Sequence, residues 1–498
     1  LNNKIIKRHR FKNSINNRLF EYQSAPKLKI NGSMIDFKKE YLLIDFSRET
    51  KKSIVMKPNK SISTKLSLNK KSYFFFSLAI LENLELFDVN LLKNDLMLNI
   101  DLFNKNGEKL KNFLFQLPMN DKKHGIMRKS KDKNWIEMCA DLRNYQGQIV
   151  ELQISASFTS KNYTLFNRTI DYKQNKLIKK ISIPCIAIGN PKLVEEKENT
   201  KKILFISGES LTDPFYLKKK YGDLINIPNI EMLEKESLRY EKSYSIGDST
   251  LPTIMSYKSG LFPSQHGFGD YSLPAFEINQ SENNQTLPRL LNQEGFVTKS
   301  ITSYPRFDSL YGWSYDFDSY YQSEYPFFAD APDASRIIRS FEMDKKNDLY
   351  LFTHLTRLHG PLLSGDDSQT PNRIKIEDLD HAMKDNFMPL FSHQLEVFDD
   401  QIGQIIDYLK RTNQYEDTLI ILVGDHGVSL PPKWNFKGNI FAHYEDHARV
   451  PLIVKPASWS KINIGIENKP VTAQKEIFDF ISKALNLEIP QSYSNLPQ

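Results

Sequence analysis

The 498-residue chain lacks the features that mark disulfide-rich and membrane-spanning proteins. Its two cysteines, Cys139 and Cys185, stand neither in a CxxC pair nor beside a histidine, which excludes a disulfide framework and predicts buried or free thiols. The longest apolar run, residues 73–81, is far shorter than the roughly 20 residues that a spanning helix needs. No apolar stretch of the signal-peptide kind follows the basic N-terminus. We therefore expect a cytoplasmic protein, or one held peripherally at the inner membrane.

Length and composition favour a folded chain with two domains. The chain is roughly two to four times as long as a common domain, which excludes a single small binding module. Hydrophobic residues make up 40% of it, aromatic residues 12% and charged residues 26%. These fractions suffice for a sizeable core and argue against wholesale disorder.

The charge is distributed unevenly along the chain. Residues 1–200 carry 37 Lys and Arg against 20 Asp and Glu, a balance of +17, and the remaining residues carry 30 against 40, a balance of −10. Opposite balances indicate two domains with different tasks. A basic domain can bind an anionic partner such as nucleic acid, an acidic lipid surface or a phosphorylated glycan, or its charge can serve solubility alone.

The first part of the chain reads as a series of short strands. Segments such as KSIVMKP, SISTKLSL, LMLNIDLF and IVELQISASF are rich in β-branched and aromatic residues and are separated by turn-prone or charged clusters. This pattern predicts an antiparallel sandwich or jelly roll over residues 1–195. Acceptor or carbohydrate binding and a purely structural role are both open for it. The charged stretch 191–202 is the predicted linker.

After the linker, strand and helix patterns alternate. Residues 203–207, 418–423 and 449–454 are buried-strand runs. One long helix is indicated by apolar residues at three- and four-residue spacing: Leu390, Phe391, Leu395, Phe398, Ile402, Ile405, Ile406 and Leu409. The alternation predicts an α/β domain with a largely parallel sheet over residues 200–498.

Polar residues follow two of these strands directly. Glu209 comes after the run 203–207, and Asp425 and His426 come after the run 418–423, each beside a glycine. Ligands of open α/β sheets bind beyond the carboxyl ends of the strands, so these side chains are expected to converge. Two carboxylates and an imidazole suit Zn²⁺ or a similar divalent ion. Either fragment alone would be an ordinary polar turn.

A third fragment, residues 247–263, begins with Gly-Asp-Ser-Thr-Leu-Pro. Ser249 or Thr250 can cap the helix that Pro252 starts, and capping alone would explain both residues. The same position also suits a nucleophile, because the positive end of the helix dipole and its backbone N–H groups attract a transferring anion. A hydroxyl that also binds a metal ion has a lowered pKa.

Further motifs occur in a fixed order along the C-terminal part. Residues 260–267 form a Gly-x-aromatic-Pro-x-x-His-Gly stretch, and a Thr-Leu pair at 286–287 leads to Gly-Phe at 295–296. YDFDSYY follows at 315–321, and the run 418–423 leads into Asp-His-Gly. Together with ILFISGES, this order resembles the sulfatase branch of the alkaline phosphatase superfamily. The resemblance covers about the last three hundred residues and implies a sulfatase-like, metal-dependent catalytic domain.

The chain departs from the sulfatase pattern at the nucleophile. Counted back from Gly260, the family's Cys-x-Pro-Ser-Arg motif falls on residues 250–254, which read TLPTI. Sulfatases oxidise a Cys or Ser to an aldehyde, which a threonine cannot become, and Ile254 replaces the arginine. A threonine here resembles the phosphoethanolamine and phosphoglycerol transferases of bacterial envelopes. That resemblance implies a nucleophilic Thr250, a fallback nucleophile Ser249, and the metal ligands Glu209, Thr250, Asp425 and His426.

The resemblance also assigns tasks to several histidines. His359, in a His-Gly-Pro triplet, resembles the residue that holds phosphate oxygens or protonates the leaving group. His443 is the preferred candidate for a second substrate-facing residue, with His447 next. The remaining histidines in this part are predicted to be structural, surface or core residues: His266, His354, His381 and His393.

The sequence therefore predicts a metal-dependent transferase. A phosphoethanolamine, phosphoglycerol or phosphoramidate-type group would pass through a covalent Thr250 intermediate to a bacterial surface polysaccharide or glycolipid. The alternatives are a phosphodiesterase or phosphomonoesterase with the same site, a sulfatase, and an inactive glycan-binding protein. The expected cofactor is one divalent ion, Zn²⁺ or else Mn²⁺, and a second ion at His359 and His443 is open. The expected partners are a phosphodiester donor and a saccharide acceptor, not nucleic acid.

Overall fold

A computed structural model describes most of the chain in segments. The described residues are 8–10, 21–23, 35, 37, 42–46, 49–56, 59–81, 96–117, 135–158, 167–171, 176–180, 185–195, 197, 199–267, 286–304, 307, 313–314, 316–322, 334–359, 376–428 and 445–487. The chain divides into two compact units, Leu1–Lys197 and Glu198–Gln498.

The first unit is built from antiparallel strands. They are β1 (Arg8–Arg10), β2 (Glu21–Gln23), β3 (Leu42–Phe46), β4 (Glu49–Met56), β5 (Ser61–Ser67), β6 (Ser72–Leu81), β7 (Leu96–Phe103), β8 (Lys109–Leu117), β9 (Ile136–Asp141), β10 (Ile149–Phe158), β11 (Asn167–Asp171), β12 (Lys176–Lys180) and β13 (Cys185–Glu195). One sheet has the order β1-β2-β3-β4-β13-β6-β9 and the other β5-β10-β7-β8. β11 and β12 form a hairpin.

Alternate residues of the two sheets share one core. Phe74 and Leu78 of β6 pack in the same buried cluster as Ile100 of β7 and Leu152 of β10. Each is fully shielded from solvent, as the period of two in a strand requires when one face is buried. The predicted antiparallel sandwich is confirmed.

The predicted linker at 191–202 starts too early. β13 continues to Glu195 after an irregularity between Gly189 and Lys192, and Leu193 pairs with Phe74 of β6. Leu193 also packs against the core of the first unit. Cross-strand packing thus holds residues 191–195 in the sheet although their composition is charged.

The second unit alternates strands and helices. Its strands are β14 (Lys202–Gly208), β15 (Leu238–Tyr240), β16 (Ser243–Tyr244), β17 (Val297–Thr302), β18 (Ser319–Gln322), β19 (Leu349–Leu355), β20 (Thr418–Gly424), β21 (Leu452–Lys455), β22 (Gly465–Glu467) and β23 (Val471–Thr472). Its helices are α1 (Pro214–Tyr221), α2 (Pro228–Lys235), α3 (Thr250–Ser259), α4 (Pro263–His266), α5 (Leu287–Gln293), α6 (Ala334–Met343), α7 (Ile376–Arg411), α8 (Glu445–Ala448) and α9 (Ala473–Leu485). This order confirms the predicted α/β class.

The sheet of the second unit is largely parallel, as predicted. Its order is β18-β17-β19-β14-β20-β21-β15-β22. The first five strands run parallel to one another, and β21 is antiparallel to β20. β14, β19 and β20 are buried along their whole length, which explains their nearly continuous apolar sequences.

Helices cover both faces of this sheet. Phe205 of β14 faces the layer of α3, α5 and α9, whereas Leu204 faces the layer of α1, α2, α6 and α7. The long predicted helix is α7, and its described face is buried against the sheet from Phe391 to Leu409. The side chain of Leu390 lies outside the described residues. No described helix is long and apolar enough to cross a membrane.

Candidate metal centre and active site

Two neighbouring parallel strands bring Glu209, Asp425 and His426 together. β14 and β20 pair in register, so that Gly208 lies opposite Gly424. The next residues, Glu209 and Asp425, therefore leave the sheet side by side. Both are almost fully buried, at 1% and 0% exposure. The site lies at the carboxyl edge of the sheet, where the alternation of the sequence predicts it.

Glycines let the backbone pack tightly around this edge. A Cβ atom at position 424 would lie 2.3 Å from the carbonyl oxygen of Leu211, and one at 427 would lie 2.1 Å from that of Asp446. Neither backbone oxygen can move without shifting the main chain around it, a loop at Leu211 and helix α8 at Asp446. Only glycine therefore fits beside the Asp425–His426 pair.

The ligand atoms are oriented by the surrounding backbone. Asp425 Oδ1 accepts hydrogen bonds from the backbone N–H groups of Ser210 at 2.8 Å and His426 at 2.7 Å. Its Oδ2 is buried and accepts no hydrogen bond from any described residue. His426 Nδ1 donates to the carbonyl of Gly427 at 2.9 Å, which leaves Nε2 facing the carboxylates.

These three residues fit a divalent ion. One ligand atom from each lies within 4.8 Å of the others, and His426 Nε2 is 3.4 Å from Glu209 Oε1 and 3.6 Å from Asp425 Oδ2. A buried carboxylate oxygen without a donor among the described residues is costly unless a cation satisfies it. Two carboxylates and one imidazole suit Zn²⁺ or Mn²⁺.

The predicted nucleophile lies against this cluster. Thr250 is the first residue of α3, and its Oγ1 donates to Glu209, 3.0 Å from Oε2 and 3.1 Å from Oε1. The same hydroxyl is 3.4 Å from His426 Nε2. Ser249 occupies the N-cap position, and its side chain makes no capping hydrogen bond to the described backbone. The geometry therefore brings Thr250, and not Ser249, into contact with the carboxylate.

Hydrogen bonds connect α3 and the segment before it to the end of β20, beside the candidate metal site. Tyr257 donates to the carbonyl oxygen of Gly424 at 2.6 Å, and Ser245 donates to that of Asp425 at 2.5 Å. His266 Nε2 lies 3.0 Å from Ser256 Oγ, in keeping with the structural role predicted for this histidine. Tyr257 thus ties α3, and Ser245 ties the segment before α3, to the end of β20 and the residue after it.

The other histidines that the sequence singled out lie in different surroundings. The ring of His359 lies 6.2 Å from that of Tyr304, which also contacts His354 edge-on. His447 stacks on His426 at 5.4 Å and donates from Nε2 to the carbonyl of Asp248 at 3.1 Å. His443 lies outside the described residues, as does the side chain of His381. His393 is exposed on α7.

One residue of the site was missed by sequence reasoning. His354, predicted to be structural, is completely buried and lies 2.8 Å from Glu209 Oε2 through its Nε2. It sits near the end of β19, opposite Ser207 of β14. The sequence placed His354 close to the carboxyl end of a strand. It did not show that this strand lies next to β14, which carries Glu209 at its end.

Glu209 and His426 form a carboxylate–imidazolium pair. Burial opposes the ionisation of Glu209, but hydrogen bonds from His354 and His426 lower its pKa well below the usual range. Burial and the charge of Glu209 raise the pKa of Asp425 to about 6. Burial favours a neutral His426, but attraction to Asp425 and Glu209 raises its pKa to about 10. A bound dication would replace the proton of His426.

Metal affinity should therefore depend steeply on pH. Between pH 7 and 9 only His426 must lose a proton, so we expect the apparent association constant to rise about tenfold per pH unit. Below pH 6 Asp425 is also protonated, and the slope should approach about a hundredfold per unit. Competition with a chromophoric chelator measures this. The exposed His393→Gln variant should keep the slope, whereas an affinity independent of pH would show that His426 is not a ligand.

The remaining motifs are structural ties. The buried Asp316 carboxylate accepts from Thr286 Oγ1 at 2.8 Å and pairs with Lys258 and Arg289. Asp318 Oδ2 accepts from the backbone N–H of Thr298 at 2.9 Å. The YDFDSYY stretch thus joins α3, α5 and β17.

Comparison with known families agrees with this arrangement. The family described as Sulfatase matches residues 201–487, which is more than half of the chain. The chain belongs to the sulfatase family. Its members bind a divalent metal ion, and the Glu209, Asp425 and His426 cluster is the corresponding possible site of this sulfatase-family protein.

Individual relatives match shorter stretches of this sulfatase-family chain. N-acetylglucosamine-6-O-sulfatase of Bacteroides thetaiotaomicron is 30% identical over 108 residues, 21% of this chain and 18% of the relative. Choline-sulfatase of Rhizobium meliloti is 42% identical over 62 residues, 12% of this chain and 11% of the relative. The chain thus spans less than a fifth of these two curated relatives. The solved lipoteichoic acid synthase LtaP from Listeria monocytogenes has 16% identity and a TM-score of 0.44, covering 59% of this chain and 73% of that chain.

Proposed function

We propose that this sulfatase-family chain is a metal-dependent phosphoryl-group transferase. It would move a phosphoethanolamine, phosphoglycerol or phosphoramidate-type group from a phosphodiester donor, through covalent attachment to Thr250, to a bacterial surface polysaccharide or glycolipid. The observation that carries the proposal is the position of Thr250 Oγ1, 3.0 Å from Glu209 and 3.4 Å from His426, at the start of α3.

The identity of this residue favours phosphoryl over sulfuryl transfer. Oxidation of a threonine, a secondary alcohol, gives a ketone and not the aldehyde that sulfatases need. An unmodified hydroxyl among carboxylates and a cation is instead an activated nucleophile of the kind that forms phosphoenzymes. A sulfatase therefore remains the weaker alternative.

Each residue of the site has a proposed task that follows from its position. A divalent ion held by Glu209, Asp425 and His426 would supply positive charge that lowers the pKa of the Thr250 hydroxyl and balances the phosphoryl oxygens. The N-terminus of α3 adds a positive dipole end. His359 is proposed to hold a phosphoryl oxygen or protonate the leaving group, and His443 to face the substrate.

The proposed reaction has two steps, transfer of the group to Thr250 and its transfer from Thr250 to the acceptor. Thr250 Oγ1 forms a bond to phosphorus, the bond from phosphorus to the donor oxygen breaks, and the Thr250 proton passes to solvent. The departing alkoxide takes a proton from His359. An acceptor hydroxyl then attacks the phosphothreonine and gives its proton to His359, the bond from phosphorus to Thr250 Oγ1 breaks, and the released Thr250 oxygen takes a proton from solvent. If water takes the place of the acceptor, the same residues make a phosphodiesterase or phosphomonoesterase.

A saccharide acceptor is the preferred partner. One relative of matching sequence is named for an N-acetylglucosamine ester, and the basic residues 1–200, at +17, would favour an anionic glycan. We propose that the first unit helps to hold this acceptor. If the protein bound no metal ion, the alternative of an inactive glycan-binding protein would be favoured.

Product analysis in H₂¹⁸O separates these functions. With a phosphodiester donor and a capsular oligosaccharide, a transferase should give phosphorylated oligosaccharide without ¹⁸O in the transferred group. A hydrolase should give ¹⁸O-labelled phosphate or monoester at the same rate with and without the oligosaccharide. Turnover of p-nitrophenyl sulfate faster than of bis-p-nitrophenyl phosphate would support a sulfatase. Purified protein that binds no metal and turns over none of these would contradict the enzyme assignment.

A further inference from the structure

His354 contacts one oxygen of the candidate metal ligand Glu209. Its Nε2 lies 2.8 Å from Glu209 Oε2, and its Nδ1 lies 3.2 Å from Ser207 Oγ. All three side chains are buried, with exposures of 0% for His354 and Ser207 and 1% for Glu209. Since Ser207 Oγ can donate to Nδ1, Nε2 can donate to Glu209.

The surroundings of the two Glu209 oxygens differ. Oε2 accepts from His354 and from Thr250, at 2.8 and 3.0 Å. Oε1 accepts from Thr250 at 3.1 Å and from Ser210 Oγ at 3.3 Å. It also lies 3.4 Å from His426 Nε2, which is itself 3.6 Å from Asp425 Oδ2. Oε1 thus lies toward the candidate ligand atoms of His426 and Asp425, while Oε2 lies against His354.

Aromatic packing keeps the His354 ring in place. Phe307 contacts it edge-on at a centroid distance of 5.3 Å, and Tyr304 does so at 6.1 Å. Both aromatic rings are buried. A ring packed in this way keeps its donor direction, and a fixed donor restricts rotation of the partner carboxylate.

We propose that His354 is a positioning residue. Its hydrogen bond occupies Oε2 of Glu209, so that Glu209 binds the divalent ion through Oε1 alone. The inference rests on the metal site of the proposed function. A carboxylate without this donor would turn and offer both oxygens to the ion, raising the coordination number and reducing the room for a substrate oxygen. The competing interpretation is a buried histidine that contributes stability only.

Two amide substitutions distinguish these interpretations without a large cavity. His354→Gln keeps a donor near the position of Nε2 and can reach Glu209. His354→Asn keeps a donor or acceptor near Nδ1 and can reach Ser207 but not Glu209. His266→Gln is the matched control, because His266 is also buried, its Nε2 lies 3.0 Å from a serine hydroxyl, that of Ser256, and it is not one of the candidate metal-site residues.

The probe is Co²⁺, whose visible absorption reports coordination number. The Asn variant should bind Co²⁺ about 10- to 100-fold more weakly than the wild type and show the weaker absorption of a higher coordination number. The Gln variant should restore most of the affinity and the wild-type spectrum. The His266→Gln control should lower the melting temperature of the metal-free protein but leave Co²⁺ affinity and spectrum unchanged.

Two outcomes would overturn the inference, and they are distinguishable. If the Asn variant binds Co²⁺ with wild-type affinity and spectrum and only melts earlier, His354 is structural and the proposed function is untouched. If the wild-type chain binds no Co²⁺, the metal site itself fails, and the proposed function fails with it.

Discussion

Replacing Thr250 by alanine should lower kcat/KM for a phosphodiester by about 10³-fold or more, since loss of a covalent nucleophile has costs of this order. Thr250 Oγ1 is the hydroxyl that bonds to Glu209, and the residue is 3% exposed. Thr250→Ser keeps the hydroxyl and should retain part of the rate.

The covalent intermediate gives this prediction a second readout. Wild-type protein quenched during turnover should yield a peptide whose added mass lies on Thr250, and Thr250→Ala should yield none. Ser249→Ala is the matched control, because Ser249 is the adjacent hydroxyl at the N-cap. Unchanged turnover in Thr250→Ala, or a label on Ser249 in the wild type, would refute the assignment of the nucleophile.

The second large effect is expected on stability, at Asp316. Its carboxylate is 0% exposed and lies 2.8 Å from Lys258 Nζ and 2.8 Å from Arg289 Nη2. Burial raises the cost of this charge, but the two cations lower the pKa of Asp316 well below its usual range. The Lys258 ammonium is itself only 6% exposed and lies over the ring of Trp313 at 5.5 Å.

Asp316→Ala should therefore reduce the free energy of unfolding by about 3 to 5 kcal/mol, the range for breaking a buried ion pair from one side. Urea denaturation with a signal from the second unit measures it. The double variant Asp316→Leu, Lys258→Met also removes the charge of the buried Lys258, leaves only that of the more exposed Arg289, and should recover a large part of the loss. A loss below about 1 kcal/mol in the single variant would show that the pair is screened by solvent.

Asp316→Ala should also affect the geometry of the proposed active site. Lys258 lies in α3, the helix that begins with Thr250 and is tied to β20 through Tyr257. Loosening its C-terminal end would change the distance between the Thr250 hydroxyl and Glu209. Through Asp316 and Lys258, the YDFDSYY motif at positions 315–321 thus supports the helix that carries the proposed nucleophile.

Sequence patterns identified most of the candidate metal site. Glu209, Asp425 and His426 each follow a buried apolar run, and the carboxyl ends of parallel strands must meet at one edge. These three residues could be named from local rules, without knowing which strands are neighbours. Local geometry left Ser249 and Thr250 both open at the start of the helix, and only the resemblance to the threonine-dependent transferases, counted back from Gly260, singled out Thr250.

The sequence alone therefore determined the alternation of elements, the class of each unit and the polar residues that follow each strand, because period and turn chemistry are local. Only the tertiary structure decided that β14 lies between β19 and β20, which puts His354 against Glu209 and leaves Asp425 Oδ2 for a cation. It also decided that residues 191–195 stay in a sheet and that His447 stacks on His426. Such contacts join residues far apart in the chain, and their formation depends on how the two faces of each sheet are filled, which no single segment specifies.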